Sequence, residues 1–180
     1  MKRLFTYLLL LTCCTNTGNA QNTKKVLLSA GANIGYVGTY DLAVFWGTGI
    51  GVSMQAEYPV TEKMHVLVFA GHDHYLGYSL LNGDKPPAIK MTAVRTGAKY
   101  YVYRQFYLAA QAGLGIAGGG GEIAALSTFG IKGSSFSYTP QAGYTFIIHQ
   151  KKRIDVSARY EMFHYRKNFQ TAGCRIAWVF

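Results

Sequence analysis

From Val26 to Phe180 apolar side chains recur at every second position, in eight separate stretches, with small or polar residues between them. A period of two is strand geometry, in which successive side chains point to opposite faces; an amphipathic helix would repeat at 3.6. In the first stretch Val26, Leu28, Ala30, Ala32, Ile34 and Tyr36 share a face, opposite Ser29, Gly31, Asn33 and Gly35. In the second, Ile50, Val52, Met54, Ala56 and Tyr58 lie opposite Gly49, Gly51, Ser53, Gln55 and Glu57. Both are strands with two unlike faces.

The remaining stretches repeat the pattern. Val94, Ala98, Tyr100 and Val102 oppose Arg95, Gly97, Lys99 and Tyr101, and Phe106, Leu108, Ala110, Ala112, Leu114 and Ile116 oppose Gln111, Gly113 and Gly115. Phe136, Tyr138, Ala142, Tyr144 and Phe146 oppose Ser137, Thr139, Gln141 and Gly143, and Ile154, Val156, Ala158, Tyr160 and Met162 oppose Asp155, Ser157, Arg159 and Glu161. In the last, Ala172, Cys174, Ile176, Trp178 and Phe180 alternate around an inward Arg175. The third stretch, Met64 to His74, is apolar on both faces, so alternation leaves its register open.

Ahead of these strands, Met1-Lys2-Arg3, the apolar run Leu4 to Leu11 and the small-residue end Gly18-Asn19-Ala20 have the layout of a secretory signal, giving a leader at 1–20 and one domain at 21–180. Lipidation at Cys13 or Cys14 fits poorly, because Thr12 or Cys13 stands where a small residue is needed. Cys174 is then the single remaining cysteine, and no intrachain disulfide is expected. The chain is basic, +10 overall, but an exported chain gives that charge no nucleic-acid partner. No apolar run approaches the roughly 18 residues of a membrane helix.

Strands of about ten residues match the length of a tilted membrane-crossing strand. Connections after the second, fourth and sixth strands are short; those after the first, third and fifth are long, the third spanning Ala117 to Ser134 with "AGGGGE" at its root. An even strand count with short and long connections at opposite ends predicts an all-β, eight-stranded antiparallel up-and-down transmembrane barrel, both termini periplasmic. A soluble barrel also alternates, but its exterior carries many Lys and Glu. Here the polar face is crowded with glycine, and aromatics (Tyr36, Tyr58, Tyr100, Phe106, Tyr144, Phe146, Trp178, Phe180) gather near strand ends as an interfacial girdle. Arg95, Lys99, Arg159 and Arg175 set the register: turned towards lipid, each would cost about 2–4 kcal/mol near the midplane, together rivalling a typical stability of about 5–15 kcal/mol.

With terminal "RIAWVF", "YLAAQAGLGI" and "DVSARYEMF", the chain resembles the small eight-stranded outer-membrane barrels of Gram-negative bacteria, of the OmpA-transmembrane-domain, OmpX and opacity-protein type, over essentially all of 21–180. The resemblance implies an outer-membrane location, contact with outer-membrane lipids and lipopolysaccharide, and a terminal Ile176, Trp178, Phe180 pattern read by the assembly machinery. It brings no catalytic motif and no cofactor.

Seven charged residues are expected inside: Glu57, Arg95, Lys99, Asp155, Arg159, Glu161 and Arg175. Eight strands leave room for little but side chains, so a paired network would plug the lumen rather than line a pore. Arg159 and Arg175 fall at similar depth on neighbouring strands, so at least one needs an acid, and Glu161 is placed to supply it. His72-Asp73-His74 offers two imidazoles at metal-ligand spacing, with no third ligand evident. An acyltransferase-like set of His72, Asp73 and Ser79 is a loose match, and a deacylase-like His-x-Ser-Asn fails at His164, which Tyr165 and Arg166 follow. Lys24, Lys25, Lys63, Arg104, Lys151, Lys152 and Arg153 gather at the periplasmic end, as interface anchors or a docking surface. The expected role is non-enzymatic, structural or binding and adhesion by a monomer, through Tyr75 to Pro87 and the Gly-rich third loop, towards an unidentified extracellular ligand. A small porin-like conduit and a lipid-A-modifying enzyme are the alternatives.

Overall fold

Alternation over this many strands, with no helix among the described residues long enough to cover a sheet face, leaves closure on itself as the way to remove both edges. The computed structural model describes residues 25–78, 86, 88–118, 131, 133–149, 152–166 and 168–180, and in it eight antiparallel strands close into one barrel in sequence order. They are β1 (Leu27–Val37), β2 (Trp46–Pro59), β3 (Met64–Gly77), β4 (Ile89–Tyr103), β5 (Phe106–Gly118), β6 (Gly133–His149), β7 (Lys152–Phe163) and β8 (Phe169–Val179). One helical turn, α1 (Tyr40–Ala43), interrupts the first long connection. The proposed leader at 1–20, Lys24, Ser79, Lys151 and most of "AGGGGE" lie outside the described residues.

Closure is made by β8 on β1, in a register running from Ser29↔Val179 through Asn33↔Arg175 to Val37↔Thr171. The Phe180 N–H adds a last bond to the Leu28 carbonyl at 2.8 Å, so the ladder continues to the terminal aromatic. Connections at the end bearing both termini span 60–63, 104–105 and 150–151, against 38–45, 78–88, 119–132 and 164–168 at the other. Register shifts occur at Trp46/Gly49, Tyr101/Tyr103 and Ile147/His149, all at strand ends. Pro140 interrupts one seam mid-strand. It has no N–H to give, and pairing of β6 with β7 lapses between Tyr138↔Met162 and Gln141↔Arg159.

The barrel is apolar outside and polar inside. Val52, Met54, Val94, Leu114 and Ile176 project outward, Met54 with 69% of its surface exposed. Ser29, Asn33, Ser53, Gln55, Gln111, Thr139 and Gln141 are buried in the interior. Water would not tolerate so continuous an apolar belt; hydrocarbon would. The aromatics expected in the girdle are all outward and exposed, and two tyrosines of that outer surface hydrogen-bond along it: Tyr144 to Gln105 Oε1 at 3.3 Å and Tyr160 to Gln170 Oε1 at 2.7 Å.

β3 takes the register that alternation could not decide. His65, Leu67, Phe69, Gly71, Asp73 and Tyr75 point in, and Met64, Val66, Val68, Ala70 and His72 point out. Its neighbour makes room. Opposite Asp73 stands Gly51, where a Cβ would collide with the aspartate carboxylate, and beside it any Cβ on Gly49 would enter the Tyr75 ring.

Met54→Arg places a guanidinium in the hydrocarbon belt and should destabilise the reconstituted barrel by about 2–4 kcal/mol. Denaturant unfolding in lipid vesicles checks this; an unchanged midpoint would contradict the assigned face.

Candidate functional site

Inward positions on all eight strands meet across a narrow lumen, and its centre is built of charge. Together with Asp73, the seven charged residues expected inside make four cations (Arg95, Lys99, Arg159, Arg175) and four carboxylates (Glu57, Asp73, Asp155, Glu161), all buried. Asp73 is absent from the expected set because alternation leaves the register of β3 open. The cost of a carboxylate facing lipid was the signal that would have placed it.

The charges form two clusters. Nearer the termini, Lys99 Nζ donates to Glu57 Oε1 at 3.0 Å and to Asp155 Oδ2 at 2.9 Å, with the Tyr107 ring 3.9 Å from the ammonium. Glu57 also accepts from Gln55 Nε2 at 2.8 Å and faces His65 Nδ1 at 3.1 Å, while Asp155 accepts from Tyr107 and Thr145. Further along the axis, Glu161 Oε1 takes both Arg95 Nη1 at 2.7 Å and Arg159 Nη2 at 2.8 Å, and Thr171 donates to its other oxygen. Arg159 also reaches Asp73 Oδ2 at 3.2 Å, and Asn33 Nδ2 donates to that carboxylate's Oδ1 at 3.0 Å. The Phe69 ring lies beneath both guanidinium groups, 5.5 Å from Arg95 and 5.2 Å from Arg159. This explains how an apolar residue sits among charges: the ring face is itself a weak partner for cations.

Arg175 is held differently. Its Nε donates to Ser53 Oγ at 2.8 Å and its Nη2 to Ser29 Oγ at 3.0 Å, with no carboxylate within 4.0 Å among the described residues. Its Nη1 has no hydrogen-bond partner there. Glu161 therefore serves Arg159 rather than Arg175.

Beyond the second cluster the lumen turns apolar. Val37, Leu42 from α1, Trp46, Tyr75, Ile89, Met91, Phe163 and Phe169 pack into one buried group at the end opposite the termini. Thr39 secures α1 to β8 by accepting from the Gln170 N–H at 2.9 Å. Tyr165 reaches the Gly115 and Gly133 carbonyls at 3.4 and 3.3 Å, and burial pushes its hydroxyl up from the usual phenol range. Alternation alone leaves Val37, Leu42, Trp46, Tyr75 and Ile89 in the long connections. The signal was apolar bulk at inward parity, since Met91 shares the face of Arg95, Phe163 that of Glu161 and Phe169 that of Arg175.

Between Asp73, Tyr75, Arg159, Glu161 and Thr171 the free space is about 10 Å³, at the limit of one water molecule.

The remaining candidates stand apart from this interior. His72 and His74 share the outward face of β3 with rings 5.8 Å apart, and His72 Nδ1 is 2.8 Å from Thr92 Oγ1. Among the described residues no group of three potential metal ligands forms. Asp73 points the opposite way, so His72 and Asp73 are not brought together. His164 stacks on Phe136, centroids 6.1 Å apart. Ile176, Trp178 and Phe180 lie on or beyond the seam-forming strand; Ile176 and Phe180 are strongly exposed outward, Trp178 partly. Lys63, Arg104 and Arg153 line the open mouth at the terminal end.

No protein-family model and no curated protein sequence matches the chain. Its similarities are to solved structures. Neisserial surface protein A is 16% identical over 86% of this chain and 95% of its own, with a TM-score of 0.63. Ail, the attachment invasion locus protein of Yersinia pestis, in complex with the heparin analogue sucrose octasulfate, is 16% identical over 86% and 97%, at 0.55. The outer membrane protein AlkL is 13% identical over 91% and 93%, at 0.51. The fold is that of a transmembrane β-barrel. At these identities the likeness carries the fold, and the interior described above is this chain's own.

Glu161→Gln removes the carboxylate shared by two guanidinium groups and should cost about 3–5 kcal/mol, because it leaves a buried charge uncompensated. Adding Arg95→Met should cost less than on the wild-type background. A double-mutant cycle by denaturant unfolding measures this; additive losses would contradict the shared-carboxylate arrangement.

Proposed function

We propose that this is a non-enzymatic outer-membrane barrel, a monomer with both termini periplasmic, that presents its four longer connections to the outside as a binding or adhesive surface. The filled lumen carries this reading. Four cations and four carboxylates occupy its centre, a buried apolar group lies towards one end among the described residues, and the gap beside Asp73, Arg159 and Glu161 is about 10 Å³, at the limit of one water. Such an interior supports a surface role and weighs against a conduit.

The exterior supports placement in the membrane: an apolar belt with aromatic margins suits lipid on one leaflet and lipopolysaccharide on the other. Ile176, Trp178 and Phe180 are the proposed insertion signal, on the strand whose pairing with β1 closes the wall. Against lipid-A chemistry stands the divergence of His72 and Asp73 to opposite faces of β3. General acid–base work needs such groups within hydrogen-bond reach of one another or of a common substrate atom.

The similar barrel Ail is described with a heparin analogue, which makes a sulfated saccharide a suitable first probe. Cells lacking other adhesins and displaying this barrel should retain the probe or adhere to host-cell monolayers. Replacing 79–85 and 119–130 by Gly-Ser segments should abolish that retention while leaving the heat-dependent gel shift of a folded barrel. A change in lipid-A mass on expression, lost in His72→Ala, would instead make the protein an enzyme.

A further inference from the structure

Among the described residues the barrel carries buried charge at its centre and a buried apolar group towards one end, and the end carrying both termini opens into a cavity of about 540 Å³. Its floor abuts the lower ion cluster. His65, 7% exposed, points Nδ1 at Glu57 and sets its ring edge-on to Tyr101, with centroids 5.1 Å apart. The walls come from separate connections. Lys63 belongs to the β2–β3 turn, Arg104 to the β4–β5 turn and Arg153 to the start of β7. The Tyr101 N–H bonds to the Lys63 carbonyl at 2.8 Å, fixing the first of these turns against β4.

The electrostatics of the mouth are opposite in kind to those of the lumen. Inside, Arg95, Lys99 and Arg159 each sit within 4.0 Å of a carboxylate; Lys63, Arg104 and Arg153 have none that close among the described residues. Among the described residues Glu62 is the one carboxylate on the cavity wall, against three cations. Arg104 also adopts a left-handed backbone, φ 49°, where glycine or asparagine would sit with less strain. An arginine held there at a conformational cost, its guanidinium 5.2 Å over the Tyr103 ring, is evidence that the position needs the side chain.

We infer that this vestibule binds a phosphate ester. A phosphate monoester carries about −1.5 to −2 charge at pH 7 and three acceptor oxygens, and a diester headgroup about −1 and two; a net excess of two cations accommodates either, the monoester with the fuller charge match. Arginine offers the forked donors that recognise it. The volume lies within the roughly 300–1,000 Å³ of small-molecule sites, enough for an organic group against the Tyr101 and Tyr103 rings. That ester is either a small soluble molecule or a phospholipid headgroup reaching in from the adjoining leaflet over the exposed apolar lip of Val102 and Ile147. The inference is independent of what the opposite loops bind.

The test uses the folded barrel in phosphatidylcholine nanodiscs, titrated with glycerol 3-phosphate by calorimetry, and native mass spectrometry of barrel released from nanodiscs doped with phosphatidylglycerol. Saturable glycerol 3-phosphate binding, weakened at least about tenfold in Arg104→Gly/Arg153→Gln, supports a soluble ester. Retained phosphatidylglycerol without such binding, lost in the same variant, supports the lipid source. Arg104→Gly removes the charge and eases the turn, so folding is preserved, and the heat-dependent gel shift verifies it. Arg166→Gln, at the opposite end, should change neither readout. The inference is overturned if neither ligand binds, or if the double variant binds as wild type or Arg166→Gln loses binding equally.

Discussion

Everything in this molecule follows from the demand that no backbone N–H or C=O be left unpaired in hydrocarbon. A sheet meets that demand by closing, and here closure rests on β8 pairing with β1 from Ser29↔Val179 to Val37↔Thr171. Once the ladder is closed, side chains have two destinations. Alternate residues meet lipid and must be apolar; the others meet one another across a lumen too narrow for bulk water. The lapse beside Pro140 is the point where the sequence departs from the rule, and it falls within one seam rather than across the wall.

The second destination explains the interior. A soluble protein fills its core with hydrocarbon side chains, but the interior of this barrel is largely polar and has to satisfy itself. It does so in layers: Lys99 between Glu57 and Asp155, then Arg95 and Arg159 on Glu161 with Asp73 beyond, then the apolar group around Trp46 and Phe169. Buried ion pairs are not in themselves strong stabilisers, because desolvation offsets much of their attraction. Their effect here is to fill the space with matched charge and to make each member costly to remove alone. Arg175, held by Ser29 and Ser53, is the member whose charge has no direct partner among the described residues.

Most of the architecture was legible because period-two alternation and the cost of a charge in lipid act on every residue. They set the inward side of Arg95, Lys99, Arg159 and Arg175 and the pairing of first and last strands. Alternation failed on β3, where Leu67 and Phe69 are apolar yet inward, Phe69 because two guanidinium groups lie over its ring. It also failed at the strand tops, where Trp46 and Ile89 extend β2 and β4 beyond the stretches their alternation marks out. The site was less legible than the fold. Which acid serves which cation depends on depth and stagger around a cylinder, and a one-dimensional pattern does not contain them. The shared use of Glu161 by Arg95 and Arg159, 66 residues apart in the first case, is of that kind.

A charge-matched interior that fills the lumen should not conduct ions. Purified protein reconstituted in planar bilayers should give no discrete current steps above the bare-membrane background across the physiological voltage range. Regular single-channel steps from the wild-type protein would contradict the account, because the Lys99 and Glu161 clusters would then have to line a pore rather than fill one.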